Sequence, residues 1–365
     1  MDSFIPLLLV VLISLTCCCV GQRKDSEEDG KLSFLAVGDA GGFNYAPYYT
    51  KNLENVAKQM GKTAKKTHAK FVIGLGDNFY WNGVKDVHDF RFNATFENIF
   101  RAHSLHRTKW YMLAGNHDYL GNVSAQIAYT KVSRRWHFPD FYYTTVHRIG
   151  GTCKTVQIVT IDTTLLCYKG GGIYPGKREQ YRWLSEMLRN SEADYLVVAG
   201  HHPVYSIGMH GSNVCLNDKL RPLLETYDVT AYLSGHDHNM QHFKPLDSNV
   251  HYLVSGSASN HNQLQYNKHK VPLNSLRFFN GKTGGFTLLQ ATPRHLTVTF
   301  IGGHGKILHA ERIPPRKTRP CSKKNIKAPF IIEDFEDSVL GAFFGLQEEN
   351  ELRQHQRERH TGMNG

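Results

Sequence analysis

Five times along this chain a short apolar run breaks into a glycine and then into polar side chains. Residues 32–37 (LSFLAV) lead into Gly38-Asp39-Ala40-Gly41, and 71–75 (FVIGL) lead into Gly76-Asp77-Asn78-Phe79-Tyr80. Residues 109–114 (KWYMLA) lead into Gly115-Asn116-His117-Asp118, 194–199 (DYLVVA) into Gly200-His201-His202-Pro203, and 229–234 (VTAYLS) into Gly235-His236-Asp237-His238. Runs this short and this continuously apolar predict strands buried on both faces. Helical spacing appears between several of them, at 51–66, 178–189 and 216–226. Strands alternating with helices predict an α/β fold. Three later runs, 250–257, 285–291 and 295–301, sit close together between turn residues and predict antiparallel hairpins closing a second sheet. The expected architecture is a two-sheet sandwich flanked by helices. No linker rich in Pro, Gly or Ser divides residues 31–315, which read as a single domain.

The two ends differ from this body. Residues 4–20 are almost wholly apolar, shorter than a comfortable membrane span, and end in small residues. Residues 1–21 therefore read as a cleaved signal peptide, although Asp2 stands where a basic residue is usual and a signal anchor is the alternative. No later segment reads as transmembrane. Three of the seven cysteines fall in the signal, leaving Cys153, Cys167, Cys215 and Cys321 for two disulfides with three open pairings. Sequons at Asn93 and Asn122 predict glycosylation and agree with a secretory route, secreted or lysosomal. At 318–365 a basic stretch gives way to Ile332, Phe335, Val339, Phe343 and Leu346 at helical spacing, then to a polar end. This tail predicts one amphipathic helix followed by disorder. The helix either docks elsewhere or packs on its own domain.

Composition narrows the classes. Of 365 residues, 41% are hydrophobic and 12% aromatic, which excludes wholesale disorder. Forty-three Lys and Arg against 32 Asp and Glu leave a formal charge of +11, carried by the body rather than the tail. Such a surface suits acidic partners. No RNA-binding aromatic signature or zinc-finger spacing accompanies it, so phosphate esters are expected rather than specific nucleic acid.

The chemistry lies in the polar sets, each just past the C-terminal end of a predicted strand, where α/β sheets gather ligands. Pooled, they offer Asp39, Asp77, Tyr80, Asn116, His201, His236 and His238. Carboxylate, phenolate, amide oxygen and imidazole suit borderline-to-hard metal ions. His236-x-His238 would point two imidazoles to one side of an extended segment. An Asp or Gly after a strand is by itself an ordinary turn former. Seven such ligands in this order exceed one site, and two metals sharing a carboxylate would use them all. A pair of that kind can turn water into hydroxide near neutral pH and clamp a phosphoryl group.

The ordered set G-D-A-G, G-D-N-F-Y, G-N-H, G-H-H-P and G-H-D-H resembles the metallophosphoesterases, and Tyr80 narrows the resemblance to the purple acid phosphatases. Neighbouring stretches such as VAGHHPVYSI and VPLNSLRF are similar to the mammalian-type, tartrate-resistant (type 5) branch. The resemblance runs from about Leu32 to Pro314 and implies a metallophosphoesterase fold and an acid phosphatase acting on phosphate monoesters or phosphoproteins. It implies that Asp39, Tyr80 and His238 hold Fe(III), that Asn116, His201 and His236 hold a divalent ion (Fe(II), Zn or Mn), and that Asp77 bridges them. It further implies a metal-bound hydroxide nucleophile, His117 on the phosphate, His210 as acid for the leaving group, and a Cys167–Cys215 disulfide. By elimination Cys153 would pair with Cys321. A monomer is expected.

Departures from the pattern are His202, where relatives usually have an aromatic residue, and a short Gly-rich stretch after Cys167. His202 is either an outer proton donor or a rim side chain. The remaining histidines, among them His103, His106, His304 and His309, read as surface residues. A redox reading competes with the enzyme: the same centre could bind iron and generate reactive oxygen species. The acid roles of His117 and His210 favour the enzyme, and Tyr80 argues against a phosphodiesterase.

Overall fold

The computed structural model describes residues 30–167 and 176–316. The expected signal peptide, the tail and Cys321 lie outside the described residues. Among the described residues fourteen strands form two seven-stranded sheets. In the first, the order is β14 (Ile307–Ile313), β13 (Leu296–Gly302), β12 (Gly285–Ala291), β1 (Leu32–Val37), β2 (Phe71–Gly74), β3 (Lys109–Met112) and β4 (Trp136–His137). In the second it is β11 (Leu276–Asn280), β9 (Met240–Phe243), β10 (His251–Ser255), β8 (Ala231–Ser234), β7 (Tyr195–Ala199), β6 (Thr155–Thr160) and β5 (Tyr143–Arg148). Each sheet has a parallel centre, β1–β2–β3–β4 and β6–β7–β8–β10, to which antiparallel strands are added.

The predicted strands are there, and the alternation along β1 shows why their runs are continuously apolar. Leu32, Phe34 and Ala36 face the second sheet, where they join Val197, Leu233 and Leu253 in one apolar layer. Leu35 and Val37 face the other way, onto Leu53, Val56 and Met60 of the helix Lys51–Thr67. The second sheet repeats the arrangement, its outer face covered by Leu184, Leu188, Leu216 and Leu224. Three apolar layers thus alternate with the sheets, and every central strand is covered on both sides.

Two expectations need correction. The runs at 250–257, 285–291 and 295–301 do not close one sheet together: β10 pairs in parallel with β8 in the second sheet, while β12 and β13 extend the first beside β1. The antiparallel partner of β12 is β1, at the other end of the domain (Leu32 opposite Ala291), and so distant a pairing leaves no local trace, so the hairpin's sheet was not readable. The predicted helix 216–226 is two helices, Val214–Lys219 and Arg221–Thr226. Pro222 lacks the N–H that a continuous helix would use and instead sits in the first turn of the second.

Candidate metal centre

The loops after β1, β2, β3, β7 and β8 meet at one end of the sandwich, three from the first sheet and two from the second. They bring together all seven predicted ligands. Tyr80 donates its O–H to Asp39 Oδ1 at 2.9 Å, and His238 Nε2 lies 2.9 Å from the same phenol oxygen and 3.6 Å from Asp39 Oδ1. Beside this group, His201 Nε2 lies 3.1 Å from Asn116 Oδ1, 3.4 Å from Asp77 Oδ1 and 3.3 Å from His236 Nδ1. Asp39, Asp77 and His201 each present a ligand atom within 4.8 Å of the others, so Asp77 is within reach of both groups.

The proton positions decide what this cluster fits. His201 Nδ1 lies 2.8 Å from the carbonyl of Leu75. A carbonyl only accepts, so Nδ1 carries the proton and Nε2 presents a lone pair. That lone pair faces the amide oxygen of Asn116 and the carboxylate of Asp77, neither of which can donate. Three acceptor atoms turned on one another, two of them from buried residues, are the donor set of a cation site, and a backbone carbonyl behind the imidazole is the usual orienting partner of a metal-bound histidine. The ionisation states agree. Burial and then the Asp77 charge push Asp39 well above the usual carboxylate range. Burial raises Asp77 to about 6, against the opposing pull of His117. Burial, followed by Asp39 and Asp77, pushes the Tyr80 phenol well up. Burial draws His201 down to about 3, His238 to about 4 and His236 well below its ordinary value, so all three imidazoles stay neutral. Buried acidic groups held back from ionising, among neutral imidazoles, are what a pair of cations would release.

Backbone conformation aims these side chains. Asp39, Asp77 and His236 adopt left-handed conformations, with φ of 60°, 51° and 69°, uncommon for residues other than glycine and concentrated at functional sites. This corrects the expectation for His236-x-His238. The segment is a pair of tight turns, Asp237 N–H bonding to Gly235 O and Asn239 N–H to Asp237 O, not an extended strand. Gly115 is required by close approach, since a Cβ there would overlap Asp77 Oδ1 and the Asp77 nitrogen.

His117 donates its backbone N–H to Asp77 Oδ1 at 3.0 Å, and its Nδ1 lies 2.9 Å from Trp81 O, which leaves Nε2 for a ligand. His210 is exposed, its ring centroid 4.3 Å from that of His236. With His202, the half-buried Asn213 and the Cys167–Cys215 disulfide it lines a cleft of about 280 Å³. His202 Nδ1 lies 2.9 Å from Thr163 Oγ1, and burial holds the ring neutral.

Several residues that hold the site were not singled out from sequence. The buried Asp118 accepts backbone N–H groups from Asn78 and Gly115 and a side-chain N–H from Gln126, tying the loops after β2 and β3 together. Asp237 accepts the Ser206 hydroxyl and the His210 N–H, fixing the His210 loop to that of His236. Arg91 donates to Tyr80 O at 2.8 Å and Gly41 O at 2.7 Å. Asp118 and Asp237 stand inside the quoted motifs, whereas Arg91 carries no signal of its own. The reading of His309 as a surface residue is also corrected: it is half-buried and bonded to His242. Its strand lies at a sheet edge, and only the facing sheet makes one side of it interior.

The calcineurin-like phosphoesterase family model matches residues 32–240. Among curated proteins the chain is 43% identical to the human tartrate-resistant acid phosphatase type 5 over 333 residues, covering 88% of this chain and all of that one. It is 44% identical to the rabbit protein of the same name over 298 residues, 78% of this chain and 91% of the other. Purple acid phosphatase 3 of Arabidopsis thaliana is 32% identical over 78% of each chain. Among solved structures the fold is shared with purple acid phosphatase PPD1 from yellow lupin (TM-score 0.60, 17% identity, covering 78% of this chain and 54% of that one). It is also shared with GAP50, the anchor in the inner membrane complex of Plasmodium (TM-score 0.70, 22% identity, 81% and 93% covered).

Proposed function

The chain belongs to the calcineurin-like phosphoesterases and, within them, to the purple acid phosphatases, hydrolases with a metal centre, and on that premise we propose that it cleaves phosphate monoesters at a binuclear Fe(III)–M(II) site. Asp39, Tyr80 and His238 would hold the ferric ion. Asn116, His201 and His236 would hold the divalent one, Fe(II), Zn or Mn, with Asp77 shared. The observation that carries the reading is the convergence of His201 Nε2, Asn116 Oδ1 and Asp77 Oδ1, acceptors without a donor among them, beside the Asp39–Tyr80–His238 group.

When bound, such a pair supplies positive charge for the phosphoryl oxygens and acidifies water for attack. The chain's own groups do the rest. His117, its Nδ1 proton held by the Trp81 carbonyl, offers Nε2 to a phosphate oxygen. His210 lines the cleft where the leaving group would lie and is placed to deliver a proton to it. Asp237 holds the His210 backbone in that place.

Residues 31–315 would form the catalytic domain of a monomer. A secretory route, secreted or lysosomal, draws support from the Cys167–Cys215 disulfide and from the exposure of Asn93 and Asn122. Asn122 also caps the helix Val123–Ala128 through Oδ1, a role that leaves its nitrogen free for a glycan. Cys153 is disulfide-bonded as well.

The test pairs turnover of an aryl phosphate monoester and of a diester at acidic pH with the visible spectra of wild type and Tyr80→Phe. Monoester preference and an absorption band lost in Tyr80→Phe are expected. A colourless protein with full metal content, or diester preference, would overturn the reading.

A further inference from the structure

A second cluster of metal-binding side chains lies away from this site, where the edges of the two sheets face each other. On β14, His309 and Glu311 are two apart and so share a face. Their register partners on β13, Phe300 and Val298, belong to the layer between the sheets, so that face turns inward. From the other sheet, His242 of β9 stands opposite Leu253, which faces the same layer. His242 Nδ1 lies 3.0 Å from His309 Nε2, and its Nε2 lies 2.9 Å from His251 Nδ1. His251 pairs with Ala231, the first residue of β8, whereas the ligands at 236 and 238 follow the last. The cluster thus occupies the opposite end of these strands.

We propose that His242, His309 and Glu311 bind one divalent ion of the zinc class, which clips the edge of one sheet to the other. Each of the three presents a ligand atom within 4.8 Å of the other two. Two imidazole nitrogens and one carboxylate oxygen, with a fourth position for water, are a recurrent zinc donor set. Nitrogens tetrahedrally placed at zinc distances are about 3.3 Å apart, so the His242–His309 pair needs to open by only a few tenths of an ångström. His251 supplies the orienting partner: in the metal-binding tautomer His242 carries its proton on Nε2 and donates it to His251 Nδ1, which leaves the His242 Nδ1 lone pair for the ion. The His309 ring is fixed by Phe278, stacked on it at 4.8 Å and 6°. Burial keeps all three histidines neutral, His242 at about 2 and His251 at about 4. Lys244 and Arg277 face His242 and oppose a cation, and the Glu311 carboxylate offsets part of that charge. His309 and Glu311 are only half-buried, which leaves the ion a way in.

The experiment takes the purified protein, counts its resident metals, and then adds Co²⁺ or Zn²⁺. One further equivalent retained through gel filtration is expected, with the visible bands of four-coordinate Co²⁺ and a melting temperature raised by Zn²⁺. In Glu311→Gln and in His309→Ala the added ion should bind at least tenfold more weakly, while monoester turnover stays at the wild-type rate. Glu311→Gln is isosteric and carries the test alone should His309→Ala fold poorly. No further equivalent in the wild type, or one bound equally well by the two variants, overturns the proposal.

Discussion

Asp39 accepts the backbone N–H of His236 at 2.8 Å through Oδ2, joining two loops that lie on different sheets and 197 residues apart. Its other oxygen accepts the Tyr80 hydroxyl. One carboxylate therefore locks the sandwich at the end where the ligands gather. Asp39→Asn keeps an acceptor for His236 and a residue that tolerates φ of 60°. Its metal-free form should melt close to wild type while at least one metal equivalent is lost. Asp39→Ala should lose the metal and in addition about 1–3 kcal/mol of stability, the cost of a buried donor left unpaired. Elemental analysis and thermal melts of metal-stripped protein check both. Equal melting of the two variants would refute the locking role.

Gly115→Ala removes no ligand. Its new Cβ would collide with Asp77 Oδ1 and the Asp77 backbone, which sit on a neighbouring strand's loop and cannot swing away as a flexible side chain would. Metal content should fall and monoester turnover should drop by tenfold or more, with the circular dichroism spectrum unchanged. Full metal occupancy in this variant would show that the Asp77 position has slack.

Asp162 gives the fold a pH dependence independent of the metals. It is buried, accepts the Tyr119 hydroxyl at 2.6 Å, and burial raises it to about 7 from 3.8. The folded state thus holds this proton more tightly than the unfolded chain. The stability it contributes is present in full below about pH 4 and is lost as pH rises through about 7, on the order of 4 kcal/mol across that window. Asp162→Asn should flatten the fall. Its urea midpoint should match wild type near pH 4.5 and exceed it near pH 8. Parallel curves for the two proteins would refute the assignment.

The Cys167–Cys215 disulfide closes a separation of 48 residues, for which chain entropy predicts about 4 kcal/mol of stabilisation. Both cysteines line the cleft with His202 and His210. The double Cys→Ser variant should lose stability of that order in denaturant unfolding and show a higher KM with a smaller change in kcat. An unchanged midpoint would mean that the loop is held by its packing alone.

Much of the site was legible because the chemistry constrains residue types locally. Each ligand sits within a few residues of a strand end, and a strand buried on both faces writes itself as an unbroken apolar run. Asp39, Asp77, Tyr80, Asn116, His201, His236 and His238 could therefore be collected before their positions were known. The supports were not legible. Asp118, Asp237 and Arg91 act by hydrogen bonds to backbone of other loops, and a buried polar residue looks like a turn residue until its partner is seen. β6 (TVQIVT) was not singled out although its Thr, Val and Ile favour a strand, because no glycine-and-ligand unit follows it; β5 and β7 flank it in the sheet.

The amino-acid sequence by itself determined the α/β class, the five strand–glycine–ligand units and the family, because these rest on short-range pattern. Tertiary structure alone decided that β12 and β13 join β1 rather than β10, that His236 is left-handed, and that His309 faces inward against His242. Those outcomes depend on which distant surfaces come to cover a strand or cap a loop. Burial and long-range hydrogen bonding set them, and neither has a local period along the chain.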